Sequence, residues 1–354
     1  MKLLNNSINI IQWEPLRNLC QKLYEAQGMP PDEAFLVADS LVDADLNGVE
    51  SHGVSRMSIY MKRIEENVVA NKCSIKIENE FPGGFALNAC NSMGIVAGVK
   101  VMEMGIKKAK ESGFAFITVS HSNHFGIAAY FTRQALKENM IAFAASNAPA
   151  TMAPWGGIKA YLGTNPFSVA IPADKELPII MDMATSVVAQ GKIIMAAKTN
   201  NTIPEGWAIN KEGVATTDPK EALEGTVLPF GGPKGYSIAL LIDILSGILS
   251  GAMFGPHLNN MWNDFKNPQN VGHCFGVLDI SKYIDANIFK SRIDQMIREV
   301  KEAPKAKGIE EIFLPGEIEY RKSIQRRKEG IPVPNVIYEE LRALAEKWDI
   351  PFSI

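Results

Sequence analysis

Residues 114–126 read FAFITVSHSNHFG, a short β-rich run that empties into a polar loop. Before it, GIVAGVKVMEMGIKKAKESG (94–113) has helical character, and after it FGIAAYFTRQALKENM (125–140) is helical again. Helix, strand and helix in succession predict an α/β core, because each strand needs a covering layer on its apolar face. The rhythm continues outward. IAFAASN (141–147), NPFSVAIP (165–172) and PIIMDM (178–183) are predicted strands, and TSVVAQGKIIMAAKTN (185–200) a helix capped by Thr185 or Ser186. IPEGWAINKEGVATTD (203–218) is dense in turn formers and reads as a hairpin excursion, and HCFGVLDI (273–280) as one more strand.

The flanks are helical. WEPLRNLCQKLYEAQG (13–28) stops at Gly28, and Pro30-Pro31-Asp32-Glu33 opens a second helix that Asn47-Gly48 closes. Ser51 is placed to cap a third, HGVSRMSIYMKRIEENVV (52–69). On that expectation His52 falls in the first turn, where the helix dipole disfavours imidazolium and leaves a neutral base. Arg56 then lies one turn on along the same face, able to grip a carboxylate with two nitrogens. YSIALLIDILSGILSGAMF (236–254) is apolar all round, with Asp243 mid-run and without an evident partner. Lacking a second such segment, the chain is expected to bury it as a central helix rather than pass it through a membrane. The last 70 or so residues return to amphipathic helices.

A chain of 354 residues, 46% hydrophobic, is long enough for two lobes. Residues 1–80 with 256–354 are expected to form a helical part for substrate and dimerisation, and 81–255 an α/β cofactor-binding core. A net charge of −3 gives no basic surface for nucleic acid. Cys20, Cys73, Cys90 and Cys274 form no C-x-x-C pair and no zinc spacing, which predicts free thiols, no metal and a cytoplasmic setting. Gly-x-Gly occurs nowhere, and neither do a Walker A loop, H-E-x-x-H or G-x-S-x-G. A nucleotide, if bound, is held by another route.

Four places carry candidate chemistry. His121 and His124 stand together beyond the strand at 114–119, where α/β proteins place ligands. MDMATS (181–186) sets Asp182 at a strand end, before a predicted helix start suited to an anion. FGGPKGY (230–236) is a turn nearly bare of side chains with Lys234 at a helix entrance, a shape that can cradle a diphosphate. GTNPFSVAIP (163–172) and PWGG (154–157) permit close approach of a ligand to backbone.

Taken together, DLNGVESHGVSRM (45–57), SNHFGIAAYF (122–131), APWGG (153–157), LGTNPFSVAIP (162–172), MDMATS, IPEGWAINKEGVATTDP (203–219), LPFGGPKGY (228–236) and FLPGE (313–317) resemble one family in order and register. It is that of the type-2 malate/L-lactate dehydrogenases, which also holds ureidoglycolate, sulfolactate and diketogulonate enzymes and cyclic imino-acid reductases. The resemblance implies a family-specific, non-Rossmann mixed sheet that binds NAD or NADP, and a homodimer or assembly of dimers. It implies hydride transfer to or from a small 2-hydroxy or 2-oxo acid of malate/lactate type. Ureidoglycolate, sulfolactate or a piperideine-2-carboxylate type imine are the alternatives. By motif match His52 and His124 are the acid/base residues, and Arg56, Thr164 and Asn165 contact substrate. Ser146, Asp182, Met183, Ala184, Lys234, Gly316 and Glu317 border the cofactor.

Overall fold

The computed structural model describes residues 8–354. Strand β1 (Ile8–Ile11) leads into α1 (Trp13–Ala26) and α2 (Pro31–Leu46), which pack side by side. The third helix differs from expectation. Residues 50–52 and 54–56 form two 3-10 turns, and α3 (Met57–Glu65) begins only after them, with Arg56 rather than Ser51 at its N-cap. The reason is local: Gly53 adopts extended backbone between the two turns, so no continuous helix can start at Ser51.

The sheet follows: β2 (Lys76–Phe81), β3 (Gly84–Asn88), α4 (Gly94–Ser112), β4 (Phe114–Ser122), α5 (Ala129–Thr132), β5 (Met140–Ser146), β6 (Phe167–Ile171) and β7 (Ile179–Met183). An excursion then carries α6 (Gln190–Thr199), β8 (Ala208–Ile209), β9 (Ala215–Thr216), α7 (Pro219–Glu224) and β10 (Thr226–Val227). It is the expected hairpin, closed into a three-stranded sheet in the order β10-β8-β9. After α8 (Pro233–Asp243) come β11 (Val271–Asp279), α9 (Ala286–Glu302), α10 (Glu317–Glu329), β12 (Ile331–Pro334) and α11 (Asn335–Lys347), with β12 pairing back to β1.

The main sheet has seven strands in the order β2-β3-β4-β11-β5-β6-β7. Only β3 and β4 run parallel, and α4 is the crossover that such a pair requires. The sheet is therefore mixed, as expected. Its centre is β11, inserted between β4 and β5 and antiparallel to both. Buried apolar side chains from α4 (Ala97, Val101), β4 (Ile117, Val119) and β11 (Phe275, Val277) form one core with Phe125 and Phe131. A second core joins α1, α2, α3 and α11.

Three further expectations change. β4 runs on through Ser122, so the first part of the supposed loop is strand. The helix expected over 125–140 contracts to α5 and a 3-10 segment, Arg133–Glu138. The helix expected from Thr185 starts at Gln190: the Thr185 hydroxyl donates to the Thr164 carbonyl and the Ser186 hydroxyl to Val188, so neither caps it.

The apolar run 236–254 is not an all-round buried helix. α8 ends at Asp243, a π-turn covers Ile244–Ile248, and one side stays open, with Leu241 53%, Ile248 55% and Leu249 57% exposed. Asp243 does have partners: its carboxylate accepts from the Asn147 amide at 3.2 Å and the Gly255 N–H at 3.0 Å. Among the described residues, no helix is long and apolar enough to cross a membrane.

Phe131 is fully buried against Phe125 and Phe275, with ring centroids 4.9 and 5.8 Å away. Phe131→Ala is expected to lower unfolding free energy by about 3–5 kcal/mol, read from urea denaturation by circular dichroism.

Candidate active site

The site grows from α2. Asp45, near its end, is buried, and its carboxylate accepts from the Val54 N–H at 2.8 Å. The other carboxylate oxygen lies 1.9 Å from where a Cβ on Gly53 would sit, so only glycine lets the chain pass this close. Burial pushes the Asp45 carboxyl up to about 8; the Val54 N–H opposes this, Glu50 adds to it and Arg326 works against it. Arg326 of α10 bonds both the Asp45 carbonyl and the Glu50 carboxylate, fastening the 3-10 turns from the C-terminal side.

These turns present His52 and Arg56. The His52 ring stacks on that of His124, centroids 5.3 Å apart and 24° between planes. Its Nδ1 lies 2.9 Å from the Ser51 hydroxyl. The Arg56 Nε donates to the Ser51 carbonyl at 2.6 Å, and the guanidinium lies 4.6 Å from the centre of the Trp262 ring. Its terminal nitrogens bond to no protein group among the described residues and can take a carboxylate.

His124 is held from three sides. Its N–H donates to the Gln269 side chain at 3.2 Å, the Tyr60 hydroxyl lies 2.5 Å from Nδ1, and the Gly126 N–H donates to Nδ1 at 3.3 Å. A backbone N–H can only donate, so Nδ1 accepts and the neutral ring carries its hydrogen on Nε2. The ring is disfavoured as a cation by desolvation first, then by His52, Arg56 and His273. His52 is pushed down to about 3 by desolvation and by Arg56. Its neutrality thus comes from burial and a neighbouring charge, not from the helix dipole that the sequence suggested, because no helix starts there.

Behind this group, His273 bridges β11 to both neighbours. Its two ring nitrogens lie 2.9 Å from the Ser146 hydroxyl and 2.8 Å from that of Ser122, and Phe125 stacks flat on it at 4.5 Å. The Ser146 hydroxyl, with one hydrogen to give, also lies within reach of the Asn147 and Gly272 carbonyls at 3.0 and 3.2 Å. Asp182 closes the other side, accepting from the Ala129 N–H at 2.8 Å at the start of α5. Although the residue keeps solvent contact, the protein around its carboxyl pushes it up to about 6, against the pull of that N–H.

The remaining candidates gather beyond Asp182. The Thr185 N–H and hydroxyl both donate to the Thr164 carbonyl, and the Thr185 carbonyl accepts from the Phe230 N–H at 3.0 Å. This ties Met183-Ala184 to the glycine turn and to the exposed Lys234 in the first turn of α8. Gly231 and Gly232 both hold positive φ, and a Cβ on Gly235 would sit 2.2 Å from the Phe230 carbonyl, so the turn is a cradle that side chains would fill. A bare turn, a helix N-terminus and a free-standing lysine fit the diphosphate of a dinucleotide.

Two candidates are engaged in structural bonds. The Asn165 side chain is fully buried, accepting from Ala148 N–H and donating to the Ala239 carbonyl. Glu317 is paired with Lys301 and Arg321 and accepts from the Leu314 N–H. Gly316, at φ +91°, packs its backbone against Ile180 of β7. His121 stands apart from His124, on exposed backbone at φ +52° with its ring on Ser120. Tyr60, Trp262, Gln269 and His273 were not expected from sequence. Tyr60 alone had a signal, being four residues beyond Arg56.

Known proteins resemble this chain in sequence and fold. The sequence model of the malate/L-lactate dehydrogenase family matches residues 11–342. The chain belongs to that family. It is 40% identical over 328 residues to a malate dehydrogenase of Pyrococcus horikoshii, covering 90% of each chain. It is 37% identical over 344 residues to a malate/(S)-sulfolactate dehydrogenase of Methanothermus fervidus, covering 97% of this chain and 99% of that one. The structure of sulfolactate dehydrogenase from Methanocaldococcus jannaschii superposes with a TM-score of 0.92 at 36% identity, over 97% of this chain and 98% of that one. Other relatives are named for NAD(+) with ureidoglycolate and for NADP(+) with (2R)-3-sulfolactate.

His52, His124 and His273 all have folded values depressed below the ordinary 6.5. The unfolded chain therefore takes up protons near 6.5 that the folded chain refuses. The stability they contribute is full above that pH and is lost as pH falls toward about 3, the value for His52 and His273. Asp45 and Asp182 act in the opposite sense, losing stability as pH rises through the acid range toward about 8 and about 6. With ¹³C-labelled histidine, NMR at pH 5 is expected to show these three rings neutral in the folded chain and charged in the urea-unfolded chain.

Proposed function

We propose that the chain transfers a hydride between the nicotinamide of NAD or NADP and a small 2-hydroxy or 2-oxo acid of malate/lactate type. The observation that carries this reading is the stacked, neutral His52–His124 pair beside Arg56. A carboxylate on Arg56 places the neighbouring carbinol or carbonyl oxygen beside the imidazoles, which is the geometry an acid/base residue needs. The bound nicotinamide supplies or accepts the hydride. The protein moves the accompanying proton. In the oxidative direction one imidazole of the pair, His52 or His124, takes up the proton that the carbinol oxygen releases; in the reductive direction the imidazolium so formed returns it, with the substrate carboxylate on Arg56 offsetting the local positive charge.

Thr164 and Asn165 are assigned to the substrate side, and Ser146, Asp182, Met183, Ala184, Lys234, Gly316 and Glu317 to the cofactor border. The links from Ser146 through His273 to Ser122, and from Asp182 to Ala129, support one shared cleft. For Asn165 and Glu317 the role is to shape the backbone of that cleft, since their side chains are already bonded. A homodimer in the cytoplasm completes the reading, supported by the uncovered apolar side of α8 and its π-turn.

His124→Ala is expected to lower kcat by about 10²–10⁴-fold with little change in KM. Arg56→Ala is expected to raise KM as well, and Arg56→Lys to recover it only partly, because a lysine cannot form the two-pronged contact. Steady-state absorbance at the NADH band, with both cofactors against malate, lactate, sulfolactate, ureidoglycolate and piperideine-2-carboxylate, decides the substrate. Unchanged kcat in His124→Ala sinks the acid/base assignment.

A further inference from the structure

Helix α10 docks in an unusual way. Only one of its thirteen residues, Glu317, is buried, and its apolar side chains Ile318, Tyr320 and Ile324 stay 50%, 47% and 54% exposed. A surface helix ordinarily settles on the core through an apolar stripe. This one meets the body of the protein through charged side chains.

Its start is tied to the main sheet. The Ile180 N–H of β7 donates to the Pro315 carbonyl at 3.0 Å, and a Cβ on Gly316 would lie 2.9 Å from that of Ile180. Glu317 is held there by Lys301 and Arg321. Further along, the helix meets the loop that follows α2. The Lys322 stem crosses Gly48 so closely that a Cβ there would sit 2.2 Å from its Cδ. Arg326 then bridges two groups of that loop with one guanidinium: Nη1 donates to the Asp45 carbonyl, and Nη2 to the Glu50 carboxylate at 2.5 Å. The next residue, Arg327, lies 4.7 Å from the centre of the Trp13 ring of α1.

The loop so gripped carries the candidate reactive groups. Residues 50–52 and 54–56 are single 3-10 turns, closed by the His52 N–H on Val49 and the Arg56 N–H on Gly53. Turns this short have poor internal bonding, so outside contacts set their direction. The Asp45 carboxylate fixes Val54, and Arg326 fixes Asp45's carbonyl and Glu50. His52 is two residues beyond Glu50, and the Arg56 Nε is bonded to the Ser51 carbonyl. A shift of Glu50 and Ser51 therefore carries both functional side chains with it.

We infer that Arg326 is a positioning residue for the reaction: through Glu50 and the Asp45 carbonyl it sets the place of His52 and Arg56, and α10 is the strut that ties that place to β7. The inference rests on the proposed dehydrogenase reading, which puts the substrate carboxylate on Arg56 and the cofactor beside Gly316. The helix from Gly316 to Arg326 spans about 15 Å, and so fixes the spacing between the cofactor side and the substrate side. Arg326 acts on the substrate only through the loop.

The test has two arms, both on the full chain. In steady-state kinetics, Arg326→Ala is expected to lower kcat/KM about 10- to 100-fold, with KM for the acid raised by the displaced Arg56 and kcat lowered by the displaced His52. NAD(P)H affinity, read by fluorescence titration, is expected to stay unchanged. Arg326→Lys is expected to recover part of the loss, because an ammonium lacks the rigid fork that bridges two acceptors. An arginine that only stabilises the fold would lower Tm and leave kcat/KM intact wherever the variant is folded. That outcome overturns the inference, and so does NAD(P)H affinity falling in step with kcat/KM. Should Arg326→Ala not fold, Arg326→Lys and Glu50→Ala carry the test, and wild-type kinetics in both overturns it.

The second arm is amide hydrogen exchange read by mass spectrometry. The peptide covering residues 48–57 is expected to exchange about 10-fold faster in Arg326→Ala or Glu50→Ala, with β4 and β11 unchanged. Unchanged exchange at 48–57 overturns the inference whatever the enzyme turns over. If no acid of the panel is turned over by the wild type, the functional reading fails, while the exchange arm still decides whether Arg326 holds the loop.

Discussion

The chemistry of this fold depends on keeping two imidazoles uncharged beside a guanidinium. Partial burial beside Tyr60 and Trp262, together with the Arg56 charge, holds both rings below the ordinary imidazole range. The consequence reaches across the site. Arg56 remains the fixed cation, a carboxylate is the group that best completes the balance, and the resting histidines stay uncharged. The buried His273, two residues beyond the start of the central strand, extends the same neutral environment across the sheet to Ser146 of β5.

The loop that carries His52 and Arg56 is held by contacts that are themselves buried and unusual. Asp45 occupies the space left by the missing side chain of Gly53 and fastens Val54, while Arg326 reaches from a helix near the other end of the chain. The pairing of an early loop with a late helix explains why the N- and C-terminal helices share a core, and why the motif DLNGVESHGVSR works as a unit: its aspartate, glycine, histidine and arginine are one mechanical assembly.

Much of this was legible in the chain. The alternation of elements from residue 94 onward showed an α/β core, and His52, Arg56 and His124, singled out in the sequence, do come together in the fold. What was not legible has physical causes. The third helix was drawn too early because a serine before a helix-forming run is a good cap on local grounds, and the extended backbone at Gly53 answers to Asp45, a tertiary contact. The run at 236–254 looked fully buried because hydropathy cannot distinguish an interior from an uncovered surface. Gln269 and Trp262 come to the site through folding alone, since nothing in their neighbours distinguishes them from ordinary packing residues; Tyr60 had only its four-residue spacing from Arg56 to mark it. The order of strands was equally hidden: β4 and β5 are consecutive in sequence but do not touch in the sheet.

That last arrangement shapes how the chain comes to its structure. Because β11 separates β4 from β5, both strands wait with a bare edge until residues 271–279 have emerged from the ribosome. The Ser122–His273–Ser146 bridge cannot exist before then either. The protein is therefore assembled late in synthesis, with most of its backbone already made and its central seam still open, a stage at which exposed edges invite pairing with other chains.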